Sequence, residues 1–184
     1  MTISSKKQMN CVFSVLYLGQ TQLSSVKSYK YLGHIISCDM NDNDDIKRPI
    51  RCLYVRGNML ICKFYMCSKD VKINLFKSYI SNLYTCQLWC TYKKSMFKKL
   101  EVAYNSIFRR FFGYNRFISV SSECVKVNIK QVSSIVRNMI NSLSDRINLS
   151  ENQLICKIHD NISLYCANSI FNYWKLKTHV IYMK

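Results

Sequence analysis

The chain has 184 residues, of which 49% are hydrophobic and 13% aromatic, so its composition excludes an intrinsically disordered protein. With 4 glycines and 1 proline it also lacks the turn residues of a loop-rich all-β fold, and helix should dominate. Its 27 Lys and Arg against 10 Asp and Glu give a formal net charge of +17. Such a charge attracts polyanions, with nucleic acid as the first candidate and an anionic membrane surface as the alternative.

The amino-terminal residues give no sign of secretion. Met1–Lys7 leads into a polar stretch without the apolar core or cleavage site of a signal peptide. We therefore expect an intracellular protein, nuclear or cytoplasmic, whose ten cysteines are reduced. No apolar run is long enough to span a membrane. Cys86 and Cys90 would share a helix face, but no second pair of ligands completes a zinc site, so no metal is expected.

Residues 29–36, with the sequence YKYLGHII, form an aromatic and β-branched run that predicts a β-strand. An Asn- and Asp-rich turn at 37–45 ends it, and Gly33 within it indicates a bulge or the close approach of another backbone. Upstream, 10–18 predicts a strand and 19–22 a turn, so this part should form a small antiparallel hairpin or meander. Three short strands cannot form an independent sheet.

Apolar residues at helical spacing predict that most of the rest of the chain is α-helical. The first helix should begin at a cap formed by Asp44 or Asp45 and continue to about Cys67. With Asp45 as the cap, Pro49 would be the fourth helical residue, where the missing N–H is unpaired anyway. The acidic turn lacks the ligand order, central glycine and closing glutamate of an EF-hand, so no calcium site is expected. Further helical segments are predicted at 71–92, 96–112 (Ser95 as N-cap, Gly113 as C-cap), 119–127 (helix or turn), 129–147 and the first part of the tail from 153.

The helix predicted at 96–112 has the clearest pattern. A stripe of apolar residues along it indicates core packing. Lys98 and Arg109 fall together on a second face, and Lys99 and Arg110 on a third. Basic helix faces without a recognisable base-reading motif suit contacts to phosphates.

The run YKYLGHII at 29–36 resembles the "(F/Y)KYLG-x-I-I" strand of non-LTR (LINE-type) retrotransposon reverse transcriptases, which follows the catalytic palm and acts as the primer grip. The upstream sequence SSKKQMNCVFS resembles the family's "N-x-x-K-T…M-V-F-S" segment, with Lys7 at the lysine. Ser4 stands where the family has Asn, and Gln8 where it has Thr.

Downstream segments resemble the same family. The sequence DIKR at 45–48 is similar to the start of its first thumb helix, and LFKSYI through Trp89 to its "LLK-A-Y-I…Y-G-x-x-x-W" helix, with Thr85 and Cys86 in place of Tyr-Gly. KKLE followed by FRRFFG, within 98–113, resembles "KKLE…-LRRI-L-G". Residues 119–146 are similar to a helical tail seen in some such elements.

The resemblance covers about residues 4 to 155 and implies an α+β, mostly α fold. Short antiparallel strands in a palm remnant (1–40) would precede a helical thumb-like bundle (41–117) and a C-terminal helical extension (118–184). The chain would then be part of an RNA-directed DNA polymerase that holds an RNA–DNA hybrid or duplex by its phosphates. The contact residues implied are Lys7, Tyr31, Leu32, Gly33, Lys98, Lys99, Arg109 and Arg110.

The resemblance also implies what this chain lacks. Polymerases of the family need three metal-binding aspartates, including the pair of an "(F/Y)-A-D-D" hairpin, and no such motif occurs here. We therefore expect no catalytic residue, no polymerase activity of the chain alone and no cofactor, because Mg²⁺ would belong to the missing palm. An upstream reverse transcriptase domain is an expected partner. The alternatives are a stand-alone, non-enzymatic RNA- or DNA-binding module and a non-functional relic of a transposable element.

Overall fold

The computed structural model describes residues 17–24, 26–39 and 41–157. Within these residues, two short antiparallel hairpins precede a set of helices. The strands are β1 (Tyr17–Leu18), β2 (Thr21–Gln22), β3 (Ser28–Tyr31) and β4 (His34–Ser37). The helices are α1 (Asn43–Phe64), α2 (Lys69–Tyr79), a 3₁₀ turn (Cys86–Leu88), α3 (Lys94–Phe112), α4 (Val120–Lys126) and α5 (Val132–Asn148), and 153–157 is again helical. The α+β, mostly α, fold class is confirmed.

The segment 29–36 is a hairpin and not the single strand that its composition predicted. β3 and β4 pair antiparallel, with Tyr31 opposite His34. Leu32 and Gly33 connect them with φ angles of 45° and 80°, the sign that both central residues of a type I′ turn require. Glycine adopts a positive φ without steric cost, so Gly33 marks a turn rather than a bulge.

The first hairpin is short and exposed. β1 pairs antiparallel with β2, and the turn between them is 19–20, shorter than the predicted 19–22. All four strand residues are exposed to solvent. The strand predicted at 10–18 can be compared only at β1, because residues 10–16 lie outside the described part of the chain.

α1 begins earlier than predicted and passes through its proline. Asp42 occupies the N-cap position, so Asp45 is a residue of the first turn instead of the cap. Pro49 is then the seventh helical residue and removes a hydrogen bond inside the helix, so its predicted place among the unpaired residues was wrong. The helix nevertheless continues to Phe64, since tertiary packing of a buried stripe supplies most of a helix's stability.

The helix predicted at 71–92 was wrong beyond Tyr79. There α2 ends, and the chain follows an irregular path to Thr85, whose φ of 65° is unfavourable for a β-branched residue. Cys86 and Trp89 are both buried, but from the 3₁₀ turn and the segment after it. The apolar spacing therefore indicated correctly which residues are buried, but it indicated a helix where there is none. Cys86 and Cys90 consequently do not share a helix face.

The later helices agree better with the sequence. α3 starts at Lys94 with Lys93 as N-cap, which corrects the predicted Ser95. Gly113 ends α3 with a φ of 73°, and its N–H bonds to the carbonyl of Arg109, as expected of a C-cap glycine. α4 and α5 confirm the helices predicted at 119–127 and 129–147, apart from small shifts of their ends.

α1 and α3 lie side by side and run in the same direction. At their amino-terminal ends, the side-chain oxygen of Asn43 accepts a hydrogen bond from the backbone N–H of Lys93 at 2.9 Å. At their far ends, Tyr65 lies next to Gly113. Midway, a Cβ on Gly57 would lie 2.7 Å from Cγ2 of Ile107, so the absence of a side chain lets the two helices approach.

The other helices complete one apolar core around this pair. Phe76 of α2 lies at its centre, with edge-to-face contacts to Tyr104 and Phe108 at ring-centroid distances of 5.3 and 5.5 Å. Buried residues of α4 and α5 belong to the same core, among them Val120 and Ile135. The core thus combines residues from the ranges 41–117 and 118–184, and the division between these two ranges stays a prediction.

Candidate nucleic-acid interface

The carboxylate of Asp45 is fully buried and joins the β3–β4 hairpin to the helices. Its Oδ1 accepts the backbone N–H of Ile35 at 3.0 Å and the Nε–H of Arg48 at 3.1 Å. Its Oδ2 accepts the indole N–H of Trp89 at 2.7 Å. A single side chain of α1 therefore fixes β4, its own helix and the segment after the 3₁₀ turn relative to one another.

His34 lies between this carboxylate and that of Asp42. Its Nδ1 is 3.2 Å from Oδ2 of Asp45, without the alignment of a hydrogen bond, and its Nε2 is 3.8 Å from Oδ1 of Asp42. Asp42 in turn accepts the backbone N–H groups of Cys90 and Thr91 at 2.7 and 2.8 Å. Asp42 thereby positions the segment that leads into α3.

The two carboxyl groups have pKa values shifted in opposite directions. Burial by itself would raise the pKa of Asp45, but its polar neighbours, His34 and Arg48 foremost, outweigh burial and hold this pKa well below its ordinary value. Burial raises the pKa of Asp42 and outweighs the two backbone N–H groups that lower it. Asp45 is thus maintained as a buried anion, whereas Asp42 ionises less readily.

The hydrogen bonds of this polar cluster connect the hairpin, α1 and the segment after the 3₁₀ turn. Within the described residues, no group of three or more His, Cys, Asp or Glu side chains is arranged to hold a metal ion. The sequence analysis missed the role of Asp45, which it predicted as a helix cap. A signal was present in Trp89, because a buried indole N–H needs an acceptor.

The predicted contact residues Tyr31, Leu32 and Gly33 lie at the turn of the hairpin. Tyr31 and Leu32 are 59% and 74% exposed. The hydroxyl of Tyr84 donates to the carbonyl of Leu32 at 3.1 Å, and a Cβ on Gly33 would lie 3.0 Å from Cε1 of the Tyr84 ring. The close approach predicted at Gly33 is therefore to an aromatic side chain and not to another backbone.

Two of the predicted basic residues on α3 have protein partners. Lys98 pairs with Glu101 one turn along the helix, with its Nζ 3.3 Å from Oε2. Arg109 is half-buried and donates two N–H groups to the carbonyl of Ile118, at 3.2 and 3.4 Å. The guanidinium of Arg109 thus holds the segment between α3 and α4. Lys98 and Arg109 together therefore offer a ligand fewer unoccupied donors than the sequence suggested.

The other two basic residues are available to a ligand. Lys99 and Arg110 are exposed, and neither makes an ion pair or a side-chain hydrogen bond with any other described residue. They are eleven residues apart on one face of α3, which separates their Cα atoms by about 16 Å along the helix. Such a face can contact several phosphates of one strand.

The structure brings part of the predicted set together. Lys98 and Lys99 lie near the start of α3, the end at which β4 packs on α1 and Lys93 contacts Asn43. Arg109 and Arg110 lie at the opposite end. Lys7 lies outside the described residues, so its predicted contact stays a prediction.

The acidic side chains do little to neutralise the surface. Asp45 is buried and Asp42 is directed at backbone N–H groups. Three more acidic residues pair with a lysine of the same helix: Asp44 with Lys47, Glu101 with Lys98 and Glu123 with Lys126. Five of the ten acidic residues are therefore buried or already engaged, which leaves most lysines and arginines of the described residues without a carboxylate partner.

No protein-family model, curated protein or solved structure matches the chain. Among the helices that the structure describes, none combines the length and the apolarity needed to cross a bilayer. The function must therefore be inferred from the residues and contacts described above.

Proposed function

We propose that the chain binds nucleic-acid duplex, an RNA–DNA hybrid in particular, through its phosphates, as the thumb-like part of a retrotransposon-derived reverse transcriptase. The observation that carries the proposal is the net charge of +17 on a chain whose acidic groups are in good part buried or paired. A surface of this kind binds polyanions with little regard to base sequence.

The contacts would come from the turn of the β3–β4 hairpin and from both ends of α3. Lys99 and Arg110 present unoccupied donors on one face of α3, and the turn at Leu32 and Gly33 projects from the hairpin. Phosphate contacts of this type hold a duplex in position without reading its bases. Nucleotide transfer would belong to an upstream domain with its own metal-binding aspartates, whereas a stand-alone module would show the same binding without such a partner.

The test is binding of a labelled RNA–DNA hybrid, measured by fluorescence anisotropy over a series of salt concentrations. We expect two unrelated hybrid sequences to bind with similar affinity and with the same steep loss of affinity in salt. Changing Lys99 and Arg110 together to Ala should reduce the slope of log K against log salt by about 2, since each phosphate contact contributes about 0.9. This pair is preferred because neither side chain makes an ion pair or a hydrogen bond with another described residue.

The matched control changes Lys77 and Lys130 to Ala, two exposed lysines outside α3. It removes the same charge and should alter the slope less. Equal flattening by both double variants would show that diffuse charge alone binds, which contradicts a role for the α3 face. Binding to anionic lipid vesicles that duplex does not displace would favour the membrane-surface alternative.

A further inference from the structure

A second basic feature lies on α1 and is not part of the contact set considered so far. An open cleft separates one face of α1 from the segment that follows α2. Arg48, Cys52 and Arg56 line it from α1 at successive intervals of four residues, so they share one stripe of the helix. Asn82 and Tyr84 line the opposite side.

The two arginines of this cleft differ in how far their charge is balanced. Arg48 forms an ion pair with Asp45 and also donates to the carbonyl of Tyr84 at 3.3 Å. Arg56 donates one N–H to the carbonyl of Tyr79 at 3.2 Å and forms no ion pair with any described carboxylate. A guanidinium has five N–H donors, so most of those of Arg56 are left for a ligand.

The remaining lining favours an anion. Among the described residues, no aspartate or glutamate lines the cleft, and Asn82 adds an amide that can donate. The cleft also adjoins the hairpin turn, because Tyr84 lines it and holds the carbonyl of Leu32 through its hydroxyl. A polyanion that contacts the turn would therefore pass close to Arg56.

We infer that this cleft binds a phosphate group, with the guanidinium of Arg56 donating to two of its non-bridging oxygens. Planar, bidentate donation is the geometry in which arginine recognises phosphate. The inference rests on the proposed function for the source of the phosphate, which is the backbone of a bound nucleic acid. A free phosphate compound offers the same chemistry, and the experiment separates the two sources.

The thiol of Cys52 provides a reporter inside the cleft. It is half-buried between the two arginines, whereas Cys62 lies exposed on the same helix, outside the cleft lining. Alkylation by N-ethylmaleimide, followed peptide by peptide with mass spectrometry, gives a rate for each. RNA–DNA hybrid should slow the alkylation of Cys52 several-fold and leave Cys62 nearly unchanged. Millimolar pyrophosphate, added as the free phosphate probe, should protect Cys52 much less.

Substitutions at Arg56 connect the protection to the guanidinium. Arg56→Gln should remove the protection of Cys52 and reduce the salt slope of hybrid binding by about 0.9, the contribution of one phosphate. Arg56→Lys keeps the charge and should keep most of the slope while losing much of the protection. Lys63→Gln, which removes an exposed charge of α1 outside the cleft, is the matched control and should leave Cys52 protected.

The outcomes separate this inference from the proposed function. Hybrid that binds by anisotropy but leaves the alkylation of Cys52 unchanged overturns the phosphate site and leaves duplex binding intact. Hybrid that does not bind overturns the proposed function. Protection of Cys52 by pyrophosphate would then still support a phosphate site in the cleft, and the absence of that protection would overturn it. Equal protection by pyrophosphate and hybrid assigns the site to free phosphate compounds, which contradicts the backbone source. A thermal unfolding curve of Arg56→Lys shows whether the loss of the bond to Tyr79 has altered the fold.

Discussion

The α1–α3 pair and the β3–β4 hairpin are held in place by different interactions. The helix pair is stabilised by apolar packing that is spread over many side chains, as in the contact of Gly57 with Ile107. The hairpin exposes Tyr29 and Tyr31, and its buried attachment is the hydrogen bond from Ile35 to a single carboxylate. A region of the first kind tolerates the loss of one contact, whereas one of the second kind depends on a few polar atoms.

The largest effect expected from this difference follows the removal of the Asp45 carboxylate. Asp45→Ala leaves the indole N–H of Trp89 and the backbone N–H of Ile35 without an acceptor and Arg48 without its counter-charge. Breaking a buried pair in this way costs about 3–5 kcal/mol of the free energy of unfolding. Urea denaturation followed by circular dichroism measures it.

The control for this experiment is Asp44→Ala, which removes an exposed carboxylate of the same helical turn and its pair with Lys47. Exposed pairs contribute about 0–1 kcal/mol, so its denaturation midpoint should stay close to that of the unaltered chain. Similar midpoints for the Asp44 and Asp45 variants would show that the buried carboxylate does not hold the hairpin.

Acidification should destabilise the fold through the same cluster. The folded-state pKa of Asp45 is lowered, so the stability that it contributes is present above its unfolded pKa of about 3.9 and is lost as pH falls further. The folded-state pKa of Asp42 is raised, so its protonation favours the folded state and opposes that loss. Urea midpoints between about pH 3 and pH 6 should fall on acidification, fall more steeply for Asp42→Asn and fall less steeply for Asp45→Asn. The reverse order of the two variants would contradict the assignment.

The helix pair should respond to crowding at its closest contact. In Gly57→Ala the new methyl group would meet the Ile107 side chain at 2.7–3.0 Å. A β-branched side chain in a helix has little freedom to move aside, so overpacking should outweigh the better helix propensity of alanine, with a net loss of about 1–2 kcal/mol. Asn58→Ala, at the exposed neighbouring position, should change stability little. A smaller cost of Gly57→Ala when it is introduced into the Ile107→Ala variant would locate the strain, and a stabilised Gly57→Ala would refute it.

Local sequence patterns predicted the helices whose apolar stripe and ends are set by residues close together in the chain. The apolar stripe of α3 and its C-cap at Gly113 follow from spacing and from the conformational freedom of glycine. The same spacing failed between Ile80 and Trp89, where the buried side chains come from an irregular segment. Periodicity reports which residues are buried, but the path of the backbone between them depends on contacts with distant residues.

For the candidate site, too, the sequence predicted features set by nearby residues but not contacts between distant ones. The positions of Lys98, Lys99, Arg109 and Arg110 on α3 followed from the helix, but their availability did not, because Glu101 and Ile118 occupy two of them. The cluster around Asp45 includes Trp89, 44 positions away from that carboxylate, and no local pattern places the two together. The cleft at Arg56 requires the course of the chain after α2, which the sequence analysis had as helix.

The smallest effect should appear in the hairpin alone. Tyr84→Phe removes the hydroxyl that donates to the carbonyl of Leu32, an exposed bond whose loss costs less than about 1 kcal/mol. Because the helical core does not depend on this bond, the urea midpoint should barely move, whereas amide hydrogen exchange in the peptide covering β3 and β4 should accelerate. Tyr79→Phe, at an exposed position of α2, is the matched control and should leave that exchange unchanged. If Tyr84→Phe instead shifted the midpoint as much as Gly57→Ala does, the hairpin and the helices would unfold as one unit. The difference between a densely packed core and a hairpin attached by a few polar atoms would then not hold.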